Sequence, residues 1–169
     1  MKIKPIMESG GVMRFHTMTG TKPQSVAEHS WGVAIIIRHF KPDASADLLM
    51  AALTHDCAEL VTGDVPSTAK WVNSKLKEAL DEIETKVEKE WGIDFKLSSE
   101  DNILLKVCDS LEGMSYCVKR ANQGELEAKL VFYRWAEHLV KIIQLSSEQS
   151  AYLHSLEQQI GSASYEKCK

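Results

Sequence analysis

One stretch constrains the fold of this chain more than any other: Leu53-Thr54-His55-Asp56-Cys57-Ala58-Glu59-Leu60-Val61-Thr62-Gly63-Asp64-Val65-Pro66. It reads as the closing turns of a helix, stopped by Gly63 and Pro66. At about 100° per residue, His55, Asp56 and Glu59 fall in the same arc as Leu48, Leu49, Ala52 and Leu60. That arc is the one a helix buries. A histidine and two carboxylates placed there are costly unless a positive charge lies between them, and a bound metal ion is the most economical source of it.

Length and composition set the frame. With 169 residues, 44% of them hydrophobic, the chain fits one domain that buries roughly 70% of its unfolded surface. A formal charge of -4 without a basic stripe gives duplex nucleic acid no electrostatic footprint. No apolar run reaches the roughly 18 residues of a membrane span. Met1-Lys2-Ile3-Lys4-Pro5 opens no signal-peptide core. Cys57, Cys108, Cys117 and Cys168 form no C-x-x-C pair, so a disulfide framework is not expected. The expectation is a soluble cytoplasmic protein with neither nucleic acid nor membrane as a partner.

Helical signals dominate from Ser25 onward. Ser25-Val26-Ala27-Glu28 is a capping box that opens a helix to about Phe40, ended by Lys41-Pro42. Asp43 or Ser45 caps the helix that carries His55. A third helix is predicted from near Ser67 to Trp91, closed by Gly92, and a fourth from Ser98 or Ser99 through Asp109 to Asn122-Gln123-Gly124. A fifth covers about residues 126–145 and a shorter last one about 148–160. Strand-like alternation is confined to short pieces near residues 2–6 and 93–97. The expected fold class is all-α, a single bundle of about six helices over residues 1–169. Its motif-bearing core covers about residues 10–125, its C-terminal helices about 126–160, and a polar tail follows residue 161.

On the helix opened by Ser25, His29 lies among Val26, Val33, Ile36 and Phe40 on the apolar arc. Alone, a histidine there is more often a core residue bonded to a backbone carbonyl. Yet a second helix turns His55, Asp56 and Glu59 toward the same kind of interior. Histidines and carboxylates from separate helices facing one core are how helical bundles build metal sites. His16, His39, His138 and His154 show no such pattern and read as surface or boundary residues. Asp109 is not singled out by periodicity either. The apolar arc of its helix runs through Ile103, Leu104, Val107, Leu111, Met114 and Val118, and Asp109 stands off its middle.

The order His29, then His55-Asp56, then Asp109 resembles the H…HD…D pattern of the HD-domain phosphohydrolases. The surrounding segments are more specific. Ser25-Val26-Ala27-Glu28-His29-Ser30, His55-Asp56-Cys57-Ala58-Glu59 and Thr62-Gly63-Asp64-Val65-Pro66 are similar to segments of the bacterial 5'-deoxynucleotidases and the related phage dATP triphosphohydrolases. Arg14-Phe15 is similar to the Arg-aromatic pair those enzymes carry before the first ligand, with Phe15 standing where a tryptophan is expected.

The resemblance implies that His29, His55, Asp56 and Asp109 bind one divalent metal ion. A mixed nitrogen and oxygen set of that kind suits Mn, Co, Fe, Ni or Zn, with Mg joining where a triphosphate is the substrate. Glu59, one turn past His55, can reach an activated water without being a ligand itself. For phosphate, Arg14 offers a bidentate fork and Lys70 a point charge. Ser67 and Thr68 lie at an expected helix start, where free N–H groups favour anions. Asp64 is a candidate to orient Arg14 or to contact the sugar or leaving group, or else an ordinary turn residue after Gly63. Phe15 would stack on the sugar or base and exclude a 2'-hydroxyl.

The implied activity is cleavage of the 5'-phosphate ester of a 2'-deoxynucleotide with release of the deoxynucleoside. The substrate is either a deoxynucleoside monophosphate or dATP with triphosphate as leaving group. The alternative is an HD-fold sensor or partner module that holds metal and nucleotide without turnover. Such a module would be expected to lose a ligand or the helper carboxylate, and His29, His55, Asp56, Asp109 and Glu59 are all present. Related enzymes form homo-oligomers, so at least a dimer is expected, with Trp135 and Tyr152 as candidate contact residues.

Overall fold

The structure, a computed structural model, describes residues 1–162; the polar tail beyond them and Cys168 lie outside the described residues. In chain order its elements are α1 (Ile3–Ser9), β1 (Met13–Arg14), β2 (Gln24–Ser25), α2 (Val26–Phe40), α3 (Ala46–Thr54) and α4 (Glu59–Thr62). There follow α5 (Ser67–Val72), α6 (Ser74–Trp91), α7 (Ser99–Ala121), α8 (Ala128–Ile142) and α9 (Ser147–Gly161). The fold class is all-α. Among the described residues, no helix is long and apolar enough to cross a membrane.

Side chains fix most helix starts. The hydroxyls of Ser25, Ser45, Ser98 and Ser146 accept from the backbone N–H three residues on, and Ser146 with Gln149 completes a capping box. Gly92 ends α6 in the left-handed region, at φ 71°, as its position predicts. Helix α7 is the central element. It packs against α2, α8 and α9, and the core of Val33, Ile37, Leu48, Val107, Leu111, Met114, Phe132 and Leu139 is closed to solvent around it.

Four expectations change. Residues 3–6 form the start of α1, with Lys2 at its N-cap, rather than a strand. Ile6 then packs on a small cluster of Cys57, Ala58, Val87 and Trp91. Residues 93–97 are irregular. The only pairing among the described residues is a short antiparallel one, Met13 with Ser25 and Arg14 with Gln24. The helix predicted over 67–91 is broken at Asn73, whose side chain accepts from Leu76 N–H and caps α6.

The fourth change matters most for the site. The helix does not run through His55; α3 ends at Thr54 and the chain continues in tighter turns, Cys57 N–H to Thr54 O at 3.0 Å and Glu59 N–H to Asp56 O at 3.0 Å. The cause is local. His55 Nδ1 bonds the Ala52 carbonyl at 2.8 Å, the acceptor an unbroken helix would offer to Asp56 N–H.

Candidate active site

Helices α2, α3 and α7 deliver three side chains to one point. His29 comes from the first turn of α2 and is wholly buried, His55 closes α3, and Asp109 comes from the first half of α7. Asp56 joins them from the turn after His55. His29 Nε2 lies 3.0 Å from Asp109 Oδ1 and 3.6 Å from Asp56 Oδ2; His55 Nε2 lies 3.4 Å from Asp56 Oδ2 and 3.9 Å from Asp109 Oδ1. Ligand atoms held at about 2.1 Å from one ion are about 3.0 Å apart at right angles and about 3.4 Å apart at tetrahedral ones. Two of the four spacings, 3.0 and 3.4 Å, fall in that range, and the other two, 3.6 and 3.9 Å, are wider than it.

A second observation points the same way. Both Nε2 atoms are buried and neither has a hydrogen-bond partner in suitable geometry, a costly state for polar atoms unless a cation completes it. Their Nδ1 atoms are both engaged. His55 Nδ1 bonds Ala52 O, and His29 Nδ1 bonds Glu112 Oε2. Each imidazole therefore turns Nε2 toward the shared point, with a second partner fixing the ring as metal-binding histidines require. Asp109 keeps 40% of its side chain accessible, so it stands at the mouth of the site rather than in its floor.

The electrostatics ask for a cation. Burial alone would lower the His55 pKa, but the nearby charges of Asp56 and Asp109 outweigh it and raise it to about 9. Burial would raise the carboxylates, yet His55, Arg14 and His29 hold Asp56 below its usual range, and His29 and His55 hold Asp109 well below it. Glu59 differs. Burial, then the charges of Asp56 and Asp64, push it up to about 8 against the pull of Arg14 and Lys70. Its Oε2 is buried without a partner.

Arg14 is the other unusual charge. Only 8% of it is exposed, and its Nε and one terminal nitrogen have no hydrogen-bond partner. Its guanidinium stands 3.7 Å from Asp56 Oδ2 and 4.0 Å from Asp109 Oδ1. The next residue, Phe15, has φ 61°, a strained value for a residue with a side chain. Its ring packs on Tyr116 and Trp135, with centroids 5.2 and 6.0 Å apart.

Two cavities meet at Arg14, Ser67 and Trp135. The larger, about 340 Å³, is walled by Phe15, Met18, Asp64, Pro66, Thr68 and Val131. The smaller, about 200 Å³, is bordered by Asp109, Lys106 and His138.

Of the residues expected from sequence, His29, His55, Asp56, Asp109, Glu59 and Arg14 come together, and Phe15, Asp64, Ser67 and Thr68 line the larger cavity. Lys70 lines neither cavity, although its charge reaches Glu59 and Glu84. Asp64 forms no ion pair with Arg14 among the described residues; its Oδ2 lies 3.6 Å from His16 Nδ1. Trp135 and Tyr152 are both half-buried. Trp135 covers Gly113, where an added Cβ would lie 1.7 Å from the indole, and Tyr152 packs edge-on against Phe40.

Sequence reasoning missed Glu112. It lies three residues past Asp109, accepts from Gln24 Nε2 at 2.8 Å through its other oxygen, and holds His29 in place. Gly32 makes room for it, since a Cβ there would come within 2.6 Å of Glu112 Cγ. The available signal was a lone acid inside the apolar run Leu111-Glu112-Gly113-Met114.

Comparison with known proteins gives consistent results. Residues 6–93 match the YfbR-like 5'-deoxynucleotidase family. The dATP triphosphohydrolase of Cyanophage S-2L is 30% identical over 117 residues, 65% of this chain and 66% of that protein. A 5'-deoxynucleotidase of Enterobacter sp. (strain 638) is 25% identical over 141 residues, 69% of this chain and 70% of the relative. Among solved structures, the Cyanophage S-2L HD phosphohydrolase bound to dA and one catalytic Zn2+ ion superposes with a TM-score of 0.72 at 23% identity, covering 95% of this chain and 97% of that one. A protein from Pyrococcus horikoshii OT3 superposes with a TM-score of 0.69 at 22% identity, covering 94% of this chain and 98% of that one.

Proposed function

This chain belongs to the YfbR-like 5'-deoxynucleotidase family, and on that premise we propose that it hydrolyses the 5'-phosphate ester of 2'-deoxynucleotides and releases the deoxynucleoside. It is a metal-dependent phosphohydrolase of the HD class. The observation that carries the reading is a convergence at one point: two partnerless imidazole nitrogens, two carboxylates and a buried guanidinium with free donors.

His29, His55, Asp56 and Asp109 would hold one divalent ion, with zinc the first candidate because the phage structure of the same fold contains it. Such an ion supplies Lewis acidity, which polarises the phosphoryl group and makes water acidic enough to attack near neutral pH. The protein's own residues do the rest. Arg14 would donate to the non-bridging phosphate oxygens from its buried position between Asp56 and Asp109. Glu59 would take the proton from the attacking water through its unpartnered Oε2, once a bound cation offsets the burial and the Asp56 and Asp64 charges that push its pKa up to about 8. Phe15, Met18, Pro66 and Val131 give the larger cavity apolar walls suited to a base and a sugar without its 2'-hydroxyl. Ser67 and Thr68 add hydroxyl donors at its rim.

On this reading the whole chain acts as one HD domain and works in the cytoplasm, where Cys57, Cys108 and Cys117 remain free thiols. It works as a homo-oligomer of at least two chains, a state that light scattering after size exclusion measures directly.

The deciding experiment is a panel of deoxy- and ribonucleotides at each phosphorylation level, run with Zn, Co, Mn, Fe, Ni and Mg, with phosphate, diphosphate and triphosphate resolved among the products. Turnover of deoxynucleotides well above their ribo counterparts, dependent on added metal, is the expected result. Equal turnover of the two sugars would remove the deoxy assignment, and metal-independent turnover would remove the metal.

A further inference from the structure

Gln24 is as fully buried as His29, and the reaction proposed above gives it no task. Its amide donates from Nε2 to Glu112 Oε1 at 2.8 Å, while Glu112 Oε2 takes the hydrogen bond of His29 Nδ1. The amide oxygen, Oε1, is buried and has no hydrogen-bond partner among the described residues. Beside it stands Arg14, the residue opposite Gln24 in the β1–β2 pairing. Residues opposed in an antiparallel pair point to the same face, with Cβ atoms about 4.5–5.5 Å apart. Arg14 Nε is likewise buried and lacks an acceptor among the described residues. An unused donor and an unused acceptor sit on neighbouring side chains, a costly arrangement unless some state of the site joins them.

We infer that Gln24 is a positioning residue that ties the phosphate-binding arginine to the metal-binding histidine. Its Nε2 fixes Glu112 and through it His29. Its Oε1 accepts Arg14 Nε–H when the terminal nitrogens of the guanidinium turn from Asp56 and Asp109 to a phosphate. The inference rests on the roles of Arg14 and His29 proposed above. The residue type follows from the chemistry. A carboxylate at this position could not donate to Glu112, and a cationic side chain could not accept from Arg14; an amide does both. The backbone suits the task as well. Gln24 directly precedes Ser25, whose hydroxyl caps α2, and His29 lies in the first turn of that helix. The short pairing and the cap hold Arg14, Gln24 and His29 in one frame.

The test reads binding rather than turnover, on the full chain. Metal affinity is measured by Co(II) titration of the metal-free protein, and affinity for orthophosphate by calorimetry at saturating Co(II). Gln24→Met keeps the length of the side chain and removes both polar atoms. Metal affinity should fall about tenfold, the lower end for a group that holds a ligand from behind. In a Glu112→Ala background the same substitution should have no further effect. Orthophosphate affinity should also fall about tenfold, the loss of one hydrogen bond to a charged group. That fall should vanish in an Arg14→Lys background, which has no Nε–H. Equal factors in the parent and in both backgrounds would mean that Gln24 only packs, and they overturn the inference. Wild-type affinity for both ligands in Gln24→Met overturns it too, and so does a coupling found on one side alone, since the tie needs both. Should Gln24→Met fail to fold, Gln24→Glu keeps the shape and the acceptor but loses the donor to Glu112, and its metal affinity should fall at least as far; an unchanged value overturns the inference. A protein that shows both couplings and turns over no deoxynucleotide loses the proposed reaction and keeps the tie.

Discussion

Helix α7 buries eleven of its 23 residues, whereas α6 buries three of 18, and α4 and α5 bury none. The two regions share the site between them. His29, His55 and Asp109 are carried by the densely packed helices α2, α3 and α7. Glu59, Asp64, Ser67, Thr68 and Lys70 are carried by the thinly packed stretch from α4 to the start of α6. The difference has a physical reading. Groups that must meet one ion within a few tenths of an ångström need neighbours on every side, since a close-packed core gives up little space. Groups that meet a changing substrate sit where few apolar contacts hold the backbone and local opening costs least. The proposed metal-binding part is rigid and the substrate-facing part is soft.

The largest expected effect tests the rigid side. Asp109→Ala removes one proposed ligand and should abolish both bound metal, measured by elemental analysis, and turnover. Full metal content in the variant would take Asp109 out of the ligand set and with it the role of α7 in the site.

Glu59→Ala tests the soft side and should behave in the opposite way. Metal content stays near wild type while kcat falls by about 10²–10⁴, the usual contribution of a positioned acid–base group. Metal loss would make Glu59 a ligand. A rate within a few-fold of wild type would move the base role to Asp64, the other carboxylate on that stretch.

Glu112→Ala separates holding a ligand from being one. Freed from Glu112, the His29 ring loses its fixed orientation, and metal affinity should fall about 10–100-fold in a titration. At saturating metal most of the activity should return. An affinity equal to wild type would mean that packing alone orients His29.

The smallest effect sharpens the comparison of packing. Leu111→Ala, in the core of α7, should cost about 2–5 kcal/mol in denaturant unfolding, within the range for fully buried leucines. Leu80→Ala, one of the three buried positions of α6, should fall at or below the bottom of that range, because fewer neighbours lose contacts. Equal costs at the two sites would erase the contrast between the regions.

The sequence by itself determined the helical class, the cap at Ser25 and the stop at Gly92, and it narrowed two further caps to Asp43 or Ser45 and to Ser98 or Ser99, because these are local events written within a few residues. It also marked His29, His55, Asp56 and Glu59 as polar residues in apolar arcs, since helical periodicity is local as well. Asp109 came only from the order of a motif, because its place off the apolar arc is also where a solvated aspartate would stand. Tertiary structure decided the rest. Glu112 meets His29 across 83 positions of sequence, and Gly32 and Gly113 are small because Glu112 and Trp135 must lie against them. No periodicity within one helix encodes a contact between two. The break at His55 was hidden for a related reason: a side chain that takes a helix carbonyl competes with the next amide on nearly equal terms. Packing around the proposed metal site settles which bond is made.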